Sequence, residues 1–364
     1  MNEISLRGII LKVMYPRVLI NLKAIGENYL KIKKKCEEIG LEVIPVTKVV
    51  RGDENIVRTL VSLGAKTIGD SRIKNIKNFS HIKVNKLLLR SPSFTEIDEA
   101  VELTDYSLET EISTIEKLSI SLKKKGKKHG VIVMVEVGEL REGVMPEDVI
   151  PFVKKILTFP NIEFLGLGTN TTCFSGIIPD EKNLKVLNIL KNNLENEGIP
   201  VRIISGGGSN LLKMVWEKRV PDFINQIRVG EGIFCGVEAI NRENLPGLRE
   251  DTFLLEAELI EVKRKPSKPW GERTKDAFGE EIEFKDEGEM IRGILALGRQ
   301  DINLGGIKKE KDIEIIGASS DHMVVNLNKR YSLKVGDKIS LRLNYSGVLS
   351  VMTSPYIEKV YIEE

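Results

Sequence analysis

The run Val131-Ile132-Val133-Met134-Val135 is apolar at five consecutive positions. A strand with one wet face alternates. A strand apolar on both alternations needs cover on both sides, the condition met in parallel α/β sheets. Upstream, Ile112, Ile115, Leu118 and Leu122 fall at three- and four-residue steps and predict a helix with one apolar stripe; downstream, Leu187, Leu190 and Leu194 predict another. Further out the same alternation continues. Val43-Ile44-Pro45-Val46, Lys86-Leu87-Leu88-Leu89, Phe164-Leu165-Gly166-Leu167, Val201-Arg202-Ile203-Ile204 and Ile227-Arg228-Val229 read as strands, and Leu22, Ile25, Tyr29, Ile32 and Cys36 as a helix stripe. Counted from Arg17, there are about eight strand–helix units, the number that closes a (β/α)8 TIM-type barrel. A doubly wound open sheet would show the same periodicity.

From Phe253 onward the helical stripes disappear. Ile339, Leu341, Leu343 and Tyr345 alternate with Ser340, Arg342 and Asn344, the pattern of a strand with one wet face. Ile313-Glu314-Ile315-Ile316, Met323-Val324-Val325, Glu258–Val262 and Ile291–Leu297 add further strands, and Gly336-Asp337 supplies a bend. The segment from Lys263 to Gly288 reads as a long loop, and long loops are often functional. The fold class is therefore α/β: a barrel followed by a C-terminal all-β domain, with residues 1–13 as an N-terminal extension, 14–245 as the barrel and 246–364 as the β-domain.

Composition narrows the function. The 364 residues carry 55 Lys+Arg against 53 Asp+Glu, a net charge of +2. That balance argues against a nucleic-acid partner, which calls for a basic excess. Hydrophobic residues at 41% allow a sizeable core, and 5% aromatics make it mostly aliphatic. Cys36, Cys173 and Cys235 are too widely spaced for a disulfide framework or a zinc pattern, so no metal is expected. No apolar run reaches the length of a membrane span, and the N-terminal stretch lacks a cleavage-site pattern. A cytoplasmic protein without membrane attachment is the expectation.

In a barrel the active site lies at the C-terminal ends of the strands. Those ends carry Thr47-Lys48, Gly69-Asp70-Ser71, Arg90, Glu136 to Arg141, Gly168-Thr169-Asn170, Ser205 to Ser209 and Arg228-Val229-Gly230. Ser205-Gly206-Gly207-Gly208-Ser209 can cradle an anion with successive backbone N–H groups; it reads equally as a tight turn that needs glycine. Arg228-Val229-Gly230-Glu231-Gly232 at the next exit favours phosphate, because barrel phosphate sites combine the last two loops. Lys48 can form a Schiff base with a carbonyl compound if desolvated, or can be a surface lysine.

An ordered series of segments then resembles a known family. Tyr15-Pro16-Arg17-Val18-Leu19-Ile20-Asn21-Leu22 and Val46-Thr47-Lys48 resemble the opening of fold-type III pyridoxal-phosphate (PLP) enzymes. With Gly69 to Arg72, Leu140 to Gly143, Gly168 to Asn170, Ser205 to Ser209, Arg228 to Glu231, Gly298 to Asp301 and Gly317 to His322, the chain is similar to the ornithine racemase branch of the alanine racemase family. The resemblance runs from about Tyr15 to the C-terminus and makes 14–245 the PLP-binding barrel.

The resemblance implies roles. Lys48 would hold pyridoxal 5'-phosphate and act as base on one face of Cα. Ser209 and Gly230, with the backbone at Gly208 and Glu231, would bind the phosphate, and Tyr356 would reach it. Arg228 would face the pyridine nitrogen, Arg141 the phenolic oxygen, and Asn170 stands where the family has a histidine. The family's second base is a tyrosine from the other subunit; its best match here is Phe278, which cannot carry a proton. Racemisation needs an acid and a base on opposite faces. The candidates are His322, oriented by Asp321, then Cys173 and Tyr345. The implied activity is racemisation of a diamino acid, ornithine or lysine, by a homodimer with shared active sites. Alanine or broad-specificity racemisation, a fold-type III decarboxylase or aldolase, and a non-catalytic PLP carrier are the alternatives. Asp276, Asp321 or Glu231 could hold a distal ammonium.

Overall fold

The computed structural model describes residues 14–363 and, nearer the N-terminus, the backbone of β1 (Ser5–Leu6) and β2 (Ile9–Ile10), which pair antiparallel. The extension read at 1–13 otherwise lies outside the described residues. The chain divides into two compact units, Leu22–Glu250 and a second made of the residues up to Asn21 with Asp251–Glu364. The first strand after the N-terminal pair, β3 (Arg17–Asn21), belongs to the second unit.

The first unit contains eight parallel strands: β4 (Glu42–Pro45), β5 (Thr67–Asp70), β6 (Asn85–Leu88), β7 (Tyr106–Glu109), β8 (His129–Met134), β9 (Ile162–Gly168), β10 (Ile203–Ser205) and β11 (Gln226–Val229). They pair in chain order, and β11 returns beside β4 with Val229 opposite Pro45. A parallel bridge between Val46 and Gly69 closes β4 on β5. Closure decides for the barrel, since a doubly wound sheet keeps two open edges. Helix α1 (Leu22–Glu37) precedes β4. One helix follows each strand: α2 (Glu54–Ser62), α3 (Ile73–Asn78), α4 (Ile97–Leu103), α5 (Ile112–Lys125), α6 (Val149–Ile156), α7 (Glu181–Asn196), α8 (Leu212–Trp216) and α9 (Glu231–Cys235).

The helices form where the apolar stripes predict. In α5, Ile115, Leu118 and Leu122 are fully buried, and Gly126 ends the helix in the left-handed conformation. In α2, Asp53 caps the N-terminus by accepting from Ile56 N at 3.1 Å. Inside the barrel, Ile44, Leu87, Leu108, Ile132 and Met134 form one buried cluster with Leu165 and Ile203 packed against it. Burying each such side chain contributes roughly 1.5–3 kcal/mol, so Ile132→Ala would cost about 2–5 kcal/mol. Gly166, at φ +155°, is needed because a Cβ there would sit 2.0 Å from Ile203 O.

The second unit is a mixed sheet of β12 (Phe253–Pro266), β13 (Glu289–Leu295), β14 (Glu314–Ala318), β15 (Met323–Asn326), β16 (Lys338–Arg342), β17 (Glu358–Ile362) and β3. In β16, Ile339 and Leu341 are buried while Lys338, Ser340 and Arg342 are exposed, as the alternation predicts. Three expectations need correction. The strand beginning at Arg17 is not a barrel strand: it pairs with β12 and β17, and Arg17 Nε donates to Glu256 Oε2 at 2.7 Å across that register. Local periodicity marks a strand but not its sheet. Tyr345 does not extend β16; it opens helix α10 (Tyr345–Thr353), which Asn344 caps through Gly347 N at 3.2 Å. That cap reads in sequence as one more wet position of a strand. Finally, β12 runs on to Pro266, so the irregular segment is shorter than expected at its start.

Candidate active site

The C-terminal rim of the barrel holds Lys48 in a fixed backbone. Lys48 opens a single 3-10 turn (Lys48–Val50) just past β4. Thr47 N donates to Gly69 O at 2.9 Å, and Thr47 Oγ1 to Asp70 Oδ2 at 2.9 Å. Asp70 Oδ1 accepts from Arg72 N and Asn75 Nδ2, each at 3.0 Å. Burial pushes the Asp70 carboxyl above its ordinary range, against the pull of these donors. Beyond the turn, Gly52 has φ +60°, and a Cβ there would lie 2.5 Å from Asn75 O. The backbone around Lys48 is therefore pinned while its side chain is exposed, rather than desolvated.

Arg228 is buried and anchored. It lies opposite Ile44 in the β4–β11 register, and Ile44 points into the barrel cluster. Its Nη1 donates to Ser205 Oγ and to Ser205 O (3.2 Å), its Nη2 to Thr169 O at 2.6 Å. Burial pulls the guanidinium down to about 10, with Cys173 and Glu142 opposing, so it remains a cation at neutral pH.

Next to it lie the glycine turns. A Cβ on Gly208 would come within 2.6 Å of Arg228 O, and one on Gly230 within 3.1 Å of Val46 O. The exits of β4, β10 and β11 therefore meet with no side chain between them. Gly232 N donates to Ser209 Oγ at 3.1 Å, so the turn opening at Ser209 abuts the start of α9. Gly208 N is engaged by Asn210 Oδ1 at 2.7 Å; abutting turn and helix starts of this kind are the arrangement that backbone anion sites use. Glu231 begins α9 with its carboxyl raised by burial and opposed by the Arg242 and Lys48 charges; its Oε1 has no hydrogen-bond partner.

Across the rim, Arg141 pairs with Glu142 and interacts with Cys173. Cys173 is exposed, not the buried thiol that free cysteines commonly become. Glu139 fixes its loop by accepting from Thr172 N (2.9 Å), Phe174 N, Ser175 N (3.2 Å) and Ile177 N (3.3 Å). Asn170 Nδ2 is buried without a partner, a donor awaiting an acceptor.

The other sequence-derived residues lie in the second unit. His322 Nδ1 and Asp321 Oδ1 are 2.8 Å apart in the exposed turn between β14 and β15, and that hydrogen bond holds the Asp321 carboxyl below its ordinary range. Tyr356 is exposed, and Phe278 is stacked under the Arg299 guanidinium at 4.4 Å. Among the described residues no cluster of His, Cys, Asp and Glu has a metal-binding arrangement, and no helix is long and apolar enough to cross a membrane.

The structural roles of Glu139, Asp70 and Thr47 are not legible in the sequence, although each stands at a strand exit. Glu109 gave no signal at all. It is buried beside Ser107, whose Oγ donates to Glu109 Oε1 at 2.6 Å, and Ser107 Oγ is 2.9 Å from His129 Nε2. The rim as a whole combines an exposed amine, a buried guanidinium and an anion cradle, a set able to hold an anionic carbonyl compound.

Comparison with known proteins follows the same lines. Residues 20–237 match the family model described as alanine racemase, N-terminal domain. The lysine racemase of Thermotoga maritima is 39% identical over 356 residues, covering 96% of this chain and 99% of that protein. The ornithine racemase of Acetoanaerobium sticklandii is 37% identical over 350 residues, covering 95% and 99%. Among solved structures, alanine racemase from Streptomyces coelicolor superposes with a TM-score of 0.75 at 17% identity, over 96% of this chain and 98% of that one. D-threonine aldolase from Filomicrobium marinum superposes at 0.71 with 14% identity, over 93% and 89%, a likeness of fold alone.

Proposed function

The chain belongs to the alanine racemase family and is an amino-acid racemase; from that premise we propose that it racemises a diamino acid, ornithine or lysine, with pyridoxal 5'-phosphate bound at the barrel rim. The observation that carries this reading is the convergence of Lys48, Arg228 and the Gly208–Gly230 cradle at the exits of three adjacent strands.

The residues present fit the cofactor. The glycines at 208 and 230 let the exits of β10, β11 and β4 approach one another, where a Cβ would meet Arg228 O or Val46 O, and Asn170 offers an unpaired buried donor. The bound cofactor supplies an aldehyde that takes up amino groups and a ring that accepts the electrons of the broken Cα–H bond. Lys48 would hold it through its amine and would be the group that exchanges a proton with Cα from one face. Arg228, still cationic after burial, would face the ring nitrogen and keep that atom unprotonated, which would favour proton exchange at Cα over other outcomes. Arg141 would attend the phenolic edge, and Tyr356 would be the residue that reaches the phosphate. His322, held by Asp321, carries the proton on the opposite face. The active unit is a homodimer in which each β-domain completes its partner's site.

The test is direct. Holoprotein should show a near-visible absorbance band that is lost in Lys48→Ala, and borohydride trapping should map to Lys48. Single enantiomers of ornithine or lysine should decay to zero optical rotation at constant total amino acid. A band without decay would identify a carrier, and a colourless protein in the presence of added cofactor would overturn the reading.

A further inference from the structure

A diamino acid carries a second ammonium, and an ammonium drawn out of water needs a carboxylate beside it. The sequence offers Asp276, Asp321 and Glu231 for that part. Two of them are already served. Asp276 Oδ1 accepts from Phe278 N and Glu280 N, each at 2.8 Å, with Arg299 Nη2 3.8 Å from its Oδ2, and Asp321 is paired with His322. Both belong to the second unit, whereas Glu231 shares the barrel unit with Lys48.

Other carboxylates at the strand exits of the barrel are engaged as well. Asp70 accepts from Thr47 Oγ1, Arg72 N and Asn75 Nδ2, Glu136 from Gly138 N and Leu140 N, and Glu139 from four loop amides. Glu142 accepts from Arg141 Nε and Nη2, and Glu238 from Ile240 N, Asn241 N and Glu243 N. Glu231 differs. Its Oε1 has no hydrogen-bond partner. Arg242 Nε stands 3.6 Å from that oxygen, beyond hydrogen-bond length. The Arg242 side chain is 68% exposed, so water screens its charge, while the Glu231 side chain keeps 13% and is not sealed from the rim.

Glu231 also stands beside the reacting lysine. Val46 N donates to Val229 O at 2.8 Å, and a Cβ on Gly230 would lie 3.1 Å from Val46 O, so the backbone entering Glu231 abuts the backbone that reaches Lys48 two residues later. Burial holds the Glu231 carboxyl above its ordinary range; the Arg242 charge opposes this, the Glu238 charge adds to it, and the Lys48 charge opposes it. Once Lys48 is committed to the cofactor, its charge no longer faces Glu231, and a phosphate in the adjoining turns adds a negative one. A second ammonium on the substrate restores what the lysine withdraws. Lys48 and the substrate Cα must meet for a proton to pass, so a carboxylate that faces the one faces what the other bears.

We propose that the Glu231 carboxylate pairs with the distal ammonium of the diamino-acid substrate and is thereby a specificity-determining residue; this rests on the racemase reading above. The backbone of Glu231 serves the phosphate and its side chain the far end of the substrate. A site built to pair a polar group rejects the analogue lacking it.

Two substitutions test this in the PLP-loaded enzyme. Glu231→Gln keeps the side-chain shape and the backbone amide and removes the charge. The ratio of kcat/KM for ornithine over norvaline, which lacks only the distal amine, should fall at least about tenfold. Titrating the near-visible absorbance band with each amino acid reads binding apart from turnover, and the midpoint for ornithine should rise by a similar factor relative to norvaline. Glu231→Asp withdraws the carboxylate by one methylene, so the ratio of lysine over ornithine should rise severalfold, lysine being one methylene longer. An unchanged ornithine-to-norvaline ratio in Glu231→Gln, or an equal fall for both, would overturn the proposal and leave Glu231 as a charge at a helix start. A parental lysine-to-ornithine ratio in Glu231→Asp would overturn it as well. Failure of the racemase reading is distinguishable, since it would show as absent turnover of every amino acid by the parent.

Discussion

Arg228 Nη2 donates to Thr169 O at 2.6 Å, reaching from β11 past β10 to the exit of β9. One guanidinium thus ties three strand ends together, because its Nη1 also serves Ser205. A lysine has the charge but not the planar fork. Arg228→Lys should lower kcat by about 100-fold or more and destabilise the fold by roughly 1–3 kcal/mol. Steady-state kinetics and urea unfolding check this, and parental values for both would refute the assigned anchoring role.

Glu139 organises the Cys173 loop through four backbone amides. Burial works against its ionised form, and the amides outweigh that, holding the carboxyl below its ordinary range. A depressed folded value contributes stability above the unfolded pKa of about 4.3 that is lost as pH falls through the folded one. Glu139→Ala should cost roughly 2–4 kcal/mol at neutral pH. Urea unfolding of parent and variant at neutral pH reads this cost.

Glu109 behaves in the opposite sense. Burial pushes its carboxyl up to about 7, against hydrogen bonds from Ser107 and Ser91. Between the unfolded value of about 4.3 and that folded value, the unfolded chain loses a proton that the folded chain keeps, so this group's contribution to stability falls with rising pH and levels off above the window. Glu109→Gln removes the titration. The variant should exceed the parent by roughly 1–3 kcal/mol at pH 8 and match it near pH 4, as read by thermal melts across pH. His129, pulled down to about 4 by burial, has the reverse sign and loses its contribution as pH falls from about 6.5.

His322 is paired with Asp321 at 2.8 Å. If it carries the proton on the face opposite Lys48, His322→Ala should still exchange Cα–H with deuterated water for one enantiomer while racemisation falls by about 100-fold or more. Exchange retained from both enantiomers would move the second base to Cys173 or Tyr345. Proton NMR of each enantiomer separately reads the result.

The barrel was legible because its signal is local and repeated: stripes such as Ile115, Leu118 and Leu122, and runs such as Val131–Val135. The positions of Lys48 and Ser209 just past strand ends, and of Arg228 in the last barrel strand, were legible from the strand–helix alternation. The site was not legible where the role depends on a partner distant in sequence. Glu139 acts on amides 33 to 38 residues away, and no spacing rule connects them.

By itself the amino-acid order determined the alternation of strand and helix, the apolar faces, and the amine and glycine turns offered at the strand ends, since these follow from side-chain period and backbone freedom within a few residues. The three-dimensional fold alone decided that Arg17–Asn21 joins the second sheet, that Tyr345 starts a helix, and that the Glu139 carboxylate accepts from the amides of the Cys173 loop. Sheet membership and charge compensation are settled between residues far apart in the chain, where register and burial, not sequence distance, fix which groups meet.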